Sequence, residues 1–177
     1  MPIEGAPDFQ SWILDGESGT SRRLLNLALI PATAEIAKAF GLSRREKITF
    51  IQVLRFKNGV PCLDIRYVPA AVHRALGGRR LEHSSLLQAM VDLGYEVAAG
   101  QVEIDAHRAS PEDAVKLGVK LGEPVLERRV RFTDSKGKCI VYGHSRYPSG
   151  NVYTFRVDFH HSPKGVPAER KKYVQTS

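Results

Sequence analysis

Residues 32–63 read ATAEIAKAFGLSRREKITFIQVLRFKNGVPCL, and residues 109–140 read ASPEDAVKLGVKLGEPVLERRVRFTDSKGKCI. The two stretches say nearly the same thing. An offset of 77 positions carries Glu35 onto Glu112, Ala37 onto Ala114, Gly41 onto Gly118, Glu46 onto Glu123 and Cys62 onto Cys139. Two copies are too few for a solenoid. Each reads helix, strand, turn, strand. The pattern predicts one domain with an internal two-fold repeat and a cleft where the halves meet.

Local signals mark the elements of each copy. Thr33 predicts the N-cap of a helix over 34–40, and Gly41 its end. In the second copy Ser110 caps, Pro111 takes the first helical position, Glu112 and Asp113 suit the positive end of the helix dipole, and Gly118 stops the helix. A hairpin follows each helix. The first runs 47–57, turns at Asn58-Gly59, where a type I′ turn needs positive φ at both residues, and returns over 61–68. The second runs 125–133, turns at 134–137 and returns over 139–147.

Working outward, 24–30 predicts a short apolar strand ended by Pro31. Residues 84–94, SSLLQAMVDLG, predict a helix with Leu86, Leu87, Met90, Val91 and Leu93 on one face. Residues 95–108 read as one long strand or two short ones. Residues 152–159 alternate as a final strand with one buried and one wetter face. The fold class is α+β: a mostly antiparallel sheet of about six strands with helices packed on it.

Bulk properties suit one soluble domain. The chain has 177 residues, of which 42% are hydrophobic and 25% charged, ordinary values for a globular protein. No apolar run approaches the roughly 18 residues of a membrane span, so no membrane partner is expected. The N-terminus lacks a basic n-region and an apolar h-region, and a cytoplasmic location is expected. Residues 1–19 read as a linker, 20–161 as the domain, and 162–177 as a basic, flexible tail.

The net charge of +7 is compatible with nucleic acid but does not show it. Most of it sits in pairs such as Arg22-Arg23, Arg44-Arg45 and Arg79-Arg80, which read as solvated surface. No basic stripe interleaved with aromatics occurs. Cys62 and Cys139 form no CxxC pair and read as reduced, apolar thiols. The histidines lack HExxH or HxxxH spacing, so no metal site is expected. No P-loop, Rossmann glycine or GxSxG signature points to a cofactor or a catalytic nucleophile.

The order of motifs resembles a known family. Gly41-Leu42, then LRF at 54–56, Asn58-Gly59, Pro61, Tyr67 and Pro69, then SLL at 85–87, SPEDAVKLGVKLGEPVLERR at 110–129, and NVYTFRVDF at 151–159 together resemble the UTRA domain. That is the effector-binding domain of the HutC branch of GntR-type bacterial transcription regulators. The resemblance implies a chorismate lyase-like fold, a homodimer, and a small-molecule effector, often anionic, held between the sheet and its covering elements. It also implies that DNA is reached only through an N-terminal winged helix. Nothing before residue 20 has the length to form one, so that module is expected upstream.

The resemblance also suggests ligand-binding residues. Arg55 matches a basic family position, while Val53 stands where many members carry a second arginine. Asp64 matches an acid three residues before a tyrosine, here Tyr67, and it has Arg55 and Arg66 as alternative ion-pair partners. Ser84 and Ser85 match the serine before leucine; a helix start can cap itself and attract an anion together. Val141 replaces an acid and Pro148-Ser149 an arginine, leaving Tyr147 and Tyr153 near that turn. Arg129 and Arg131 share one face of their strand and Arg128 the other; that pair is a candidate to stand in for the missing charge at Val53.

Three functions follow. The first is effector sensing for a transcription regulator, without catalysis. The alternatives are an enzyme of the chorismate lyase type, in which Arg55 and Asp64 would supply electrostatics and proton transfer, and a dimerisation module that has lost its ligand.

Overall fold

The computed structural model describes residues 20–43 and 45–151. The expected strand at 152–159, with Tyr153, and the expected linker and tail lie outside them. Among the described residues six strands form one antiparallel sheet: β1 (Thr20–Pro31), β2 (Lys47–Lys57), β3 (Val60–Pro69), β4 (Ala99–Arg108), β5 (Pro124–Thr133) and β6 (Cys139–Pro148). Their order is β1-β2-β3-β6-β5-β4. The helices are α1 (Ala34–Phe40), α2 (Gly78–His83), α3 (Leu86–Asp92) and α4 (Pro111–Leu117), with a 3-10 turn over Ala70–Val72. Along the chain the order is β1-α1-β2-β3, then the 3-10 turn, α2 and α3, then β4-α4-β5-β6, and β3 pairs with β6 at the middle of the sheet.

Caps and turns follow local chemistry. The Thr33 side chain accepts from the Ile36 N–H, and Gly41 ends α1 in the left-handed conformation at φ 66°. Ser110 and Asp113 form a reciprocal capping box at the start of α4, and Gly118 ends it at φ 68°. The first hairpin turns through Asn58 at φ 50° and Gly59 at φ 80°, positive at both positions as expected.

The sequence expectations need four corrections. β1 begins at Thr20 rather than at Leu24, because polar residues suffice on an edge strand with one wetted face. β4 begins at Ala99, so 95–98 lead in without strand pairing. α2 goes beyond the sequence expectations; it is short, follows Gly77 and opens on Gly78, so it offers little periodicity. Val91 was expected on the buried face of α3 and is 48% exposed, while Ala89 is fully buried instead. Position 91 lies just past the edge of the buried arc.

The sheet is covered on both sides. On one face Ile51, Val53, Val68, Val130, Phe132 and Val141 pack against Leu81 of α2 and Leu87, Ala89 and Met90 of α3. On the other, Ile36 and Phe40 of α1 pack on Ile48, and Leu117 of α4 packs with Leu63 and Val125. Burying one such aliphatic side chain contributes about 1.5–3 kcal/mol. The strand period of two then assigns every other side chain to a face.

Candidate functional site

A set of polar side chains is buried on the α2–α3 face, towards the end where β6 finishes. Val53 pairs with Asp64 across β2 and β3, and Asp64 pairs with Ser145 across β3 and β6. Arg128 pairs with Ser145 across β5 and β6. Four strands thus bring Arg55, Asp64, Ser145 and Arg128 to adjacent places. Exposure is 7% for Arg55, Asp64 and Arg66, 2% for Arg128 and zero for Ser145, so water does little to screen these charges.

Asp64 is the hub. Its Oδ2 accepts from Arg55 Nε at 2.9 Å. Its Oδ1 accepts from Ser145 Oγ at 2.6 Å, Arg66 Nη2 at 3.2 Å and Arg55 Nη2 at 3.3 Å. Ser145 Oγ in turn accepts from Arg66 Nη2 at 2.7 Å and Arg128 Nη2 at 3.3 Å. Arg55 Nη2 also reaches the Tyr147 hydroxyl and the Cys62 sulfur, each at 3.2 Å. The Arg55 and Arg128 guanidiniums lie 5.9 and 5.8 Å from the Tyr147 ring centroid, within cation–π range.

Burial by itself would raise the Asp64 pKa, but Arg55 and Arg66 outweigh it and hold the carboxyl far below the ordinary range. Burial pushes the Tyr147 phenol well up, so it stays a neutral hydroxyl. The arrangement is a fixed anion surrounded by guanidinium donors, each with five N–H groups and room for more than one acceptor.

The opposite face carries a second network. Arg146 donates to Asp113 at 2.9 and 3.1 Å and to Glu127 at 3.0 Å. Glu127 also accepts from Arg129 at 2.9 Å, and Arg129 reaches Glu103 at 3.3 Å. Asp113 is fully buried in the capping box of α4. Burial opposes ionisation of Asp113 and Glu127, yet hydrogen bonds from Ser110 to the first and Arg146 to both keep their pKa values low. His144 lies among these charges. Desolvation first, then Arg146, lowers its pKa to about 4, and its Nε2 is buried without a hydrogen-bond partner among the described residues.

The expected site residues divide between the two faces. Arg55, Asp64 and Tyr147 come together. Arg129 and Arg131 do not join them: their side chains are on the α1–α4 face, and Arg128 is the strand-β5 arginine that shares the face of Val53 and Asp64, reaching the cluster through Ser145. The pair therefore does not stand in for charge at Val53. Tyr67 is also on the α1–α4 face, with its ring 5.6 Å from that of Phe50. Ser85 caps α3 by accepting from the Gln88 N–H at 3.1 Å, and Ser84 sits in the bend before it. Sequence reasoning missed Arg128 and Ser145 and gave Arg66 only a supporting part. Their shared place depends on β6 lying between β3 and β5, which no local motif announces.

Comparison with known proteins agrees with this architecture. The sequence model of the UTRA domain matches residues 17–152. A transcriptional regulator from Streptomyces coelicolor is 27% identical, with a TM-score of 0.71 over 75% of this chain and 89% of that one. The ligand-binding domain of a GntR-family regulator from Bordetella bronchiseptica is 24% identical, with a TM-score of 0.69 over 81% of this chain and 94% of that one. The effector domain of PhnF from Mycobacterium smegmatis shares the fold at 18% identity, with a TM-score of 0.72 over 85% of this chain and 94% of that one.

Proposed function

The chain belongs to the UTRA domain family, and from that premise we propose that it senses a small anionic effector for a GntR-type transcription regulator, working as a homodimer. Binding would favour one dimer geometry and so alter DNA engagement by a winged helix outside this sequence. The observation that carries the reading is the meeting of Arg55, Arg66 and Arg128 around Asp64 and Ser145 on one sheet face. Guanidiniums are well matched to carboxylate and phosphate oxygens.

The same geometry favours binding over catalysis. Two ion pairs hold Asp64 ionised. A general base works best with a pKa near the operating pH, and this carboxylate is held far below it.

A thermal-shift screen of the purified chain against inorganic phosphate and small metabolite anions tests the reading, since a ligand that binds the native state raises apparent stability. Stabilisation by at least one anion is expected, with loss of the effect in Arg55→Gln. Incubation with chorismate serves as the control, and formation of 4-hydroxybenzoate would reverse the assignment in favour of an enzyme.

A further inference from the structure

The sheet has two edges, and they are built differently. β1 carries a register shift between Leu24 and Asn26 and ends on Pro31, two devices that discourage a further strand. β4 has neither. All ten of its residues pair with β5 in unbroken register, and every one but Val102 is exposed. It holds no proline and no lysine, and Ile104 on its α2–α3 face is 40% exposed. No strand pairs with its outer edge among the described residues, so that row of N–H and C=O groups is a template for one more.

The path of the chain points to the occupant. β6 is flanked by β3 and β5, so the chain leaving it cannot return as its neighbour. The turn after Pro148 leans towards β5, where Ser149 Oγ donates to Glu123 Oε1 at 3.3 Å. The next residue, Pro124, pairs with Arg108 at the end of β4. The open edge lies two strand spacings beyond β5, about 10 Å, which roughly three extended residues span. A strand that starts at that end runs back along β4 in the antiparallel sense.

We infer that residues 152–159 of the same chain cross to this edge and pair with β4, with Phe155 opposite Ile104. The alternation of the segment fits. Phe155 and Val157 lie beside Ile104 and Val102, and Arg156 stands opposite Glu103, whose side chain is 53% exposed. Phe155 continues the cross-strand row of Val53, Asp64, Ser145, Arg128 and Ile104, so the segment extends the face that holds the arginine cluster. A second copy of β4 fits the edge less well. Pairing around Ile104 sets Glu103 opposite Asp105 twice, and moving the centre by one residue sets one of these acids opposite itself. Like charges directly opposite each other are destabilising.

Oxidation of the full chain carrying Glu103→Cys and Arg156→Cys tests this. Directly opposite residues have Cα atoms about 4.5–5.5 Å apart, within disulfide reach. The native Cys62 and Cys139 are buried, so they add little background. One disulfide within a single chain is expected, read as a faster-running monomer on a non-reducing gel and loss of both introduced thiols. Glu103→Cys with Ser162→Cys, roughly 20 Å further along an extended chain, is the control expected to stay reduced. A disulfide between two chains overturns the inference and gives the edge to the segment of a second copy. No cross-link above the control overturns it too; slow amide exchange along β4 then assigns the edge to β4 of a second copy, and fast exchange leaves it uncovered.

Discussion

Arg66 and Gly143 face each other across β3 and β6, and the Arg66 guanidinium bonds both carbonyls of the adjacent pair, Ile65 and His144. Its Nη1 donates to the Ile65 oxygen at 3.0 Å and to the His144 oxygen at 2.5 Å, while Nη2 holds Asp64 and Ser145. One side chain thus ties the β3–β6 pairing to the hub of the cluster. The close approach depends on glycine. Its φ is 154°, and a Cβ there would lie 2.1 Å from the Ile65 oxygen and 2.9 Å from the Arg66 Cα.

Gly143→Ala is expected to destabilise the domain by roughly 3 kcal/mol or more, since backbone atoms cannot yield as a flexible side chain can. Gly150→Ala is the control. That glycine has φ 90° and open space around its Cβ position, so only conformational strain, about 1 kcal/mol, applies. Urea denaturation of both variants checks the contrast; equal losses would remove the steric argument.

Replacing Asp64 by asparagine keeps the volume and removes the charge that Arg55 and Arg66 share. Breaking a buried pair leaves uncompensated charge, and a loss of about 3–5 kcal/mol is expected. The wild-type carboxyl is held far below its ordinary value, so its contribution is complete above about pH 4 and is lost as pH falls below that. The variant's stability should therefore decline less than the wild type's on acidification below pH 4, as read by thermal unfolding across that range.

His144 produces an earlier loss. An unfolded histidine takes up a proton near pH 6.5, whereas folded His144, desolvated and beside Arg146, resists until about pH 4. Between those values the unfolded chain binds more protons, so stability drops as pH falls from 6.5 to 4. Glu127 moderates the effect, and Arg66 and Arg129 add to it. His144→Asn should flatten that window by up to about 3 kcal/mol. An unchanged profile between pH 6.5 and 4 would assign the wild-type decline to other groups.

The two helix caps should differ in weight. Thr33→Ala removes a partly buried cap bond of 3.4 Å and should cost about 1 kcal/mol. Asp113→Ala removes the capping-box acid and leaves Arg146 without one of its two carboxylates, at an expected cost of about 3 kcal/mol. Comparable melting temperatures for the two variants would show that the Arg146 pair contributes little.

Much of the fold was legible because its punctuation is local. Thr33, Gly41, Asn58-Gly59, Ser110-Pro111 and Gly118 each act within four residues, and each does in the structure what its chemistry predicts. The alternation of Arg128 against Arg129 and Arg131 was legible for the same reason. Which of them joins the Asp64 cluster, through Ser145, was not, because that depends on β6 separating β3 from β5. Gly143 gave no sequence signal: within YGHSRY at 142–147 it resembles any loosely packed strand glycine, and only the distance to Ile65 reveals its purpose.

Strand β6 is also a shared wall. Ser145 and Tyr147 look into the arginine cluster, while His144 and Arg146 look the other way, and Arg146 holds the start of α4 through Asp113. Sliding or tilting this strand cannot be a private event of one face. A pull of an ångström on Ser145 is a pull on the α4 cap, so the α1–α4 surface registers what happens on the far side of the sheet without any contact passing around its edge.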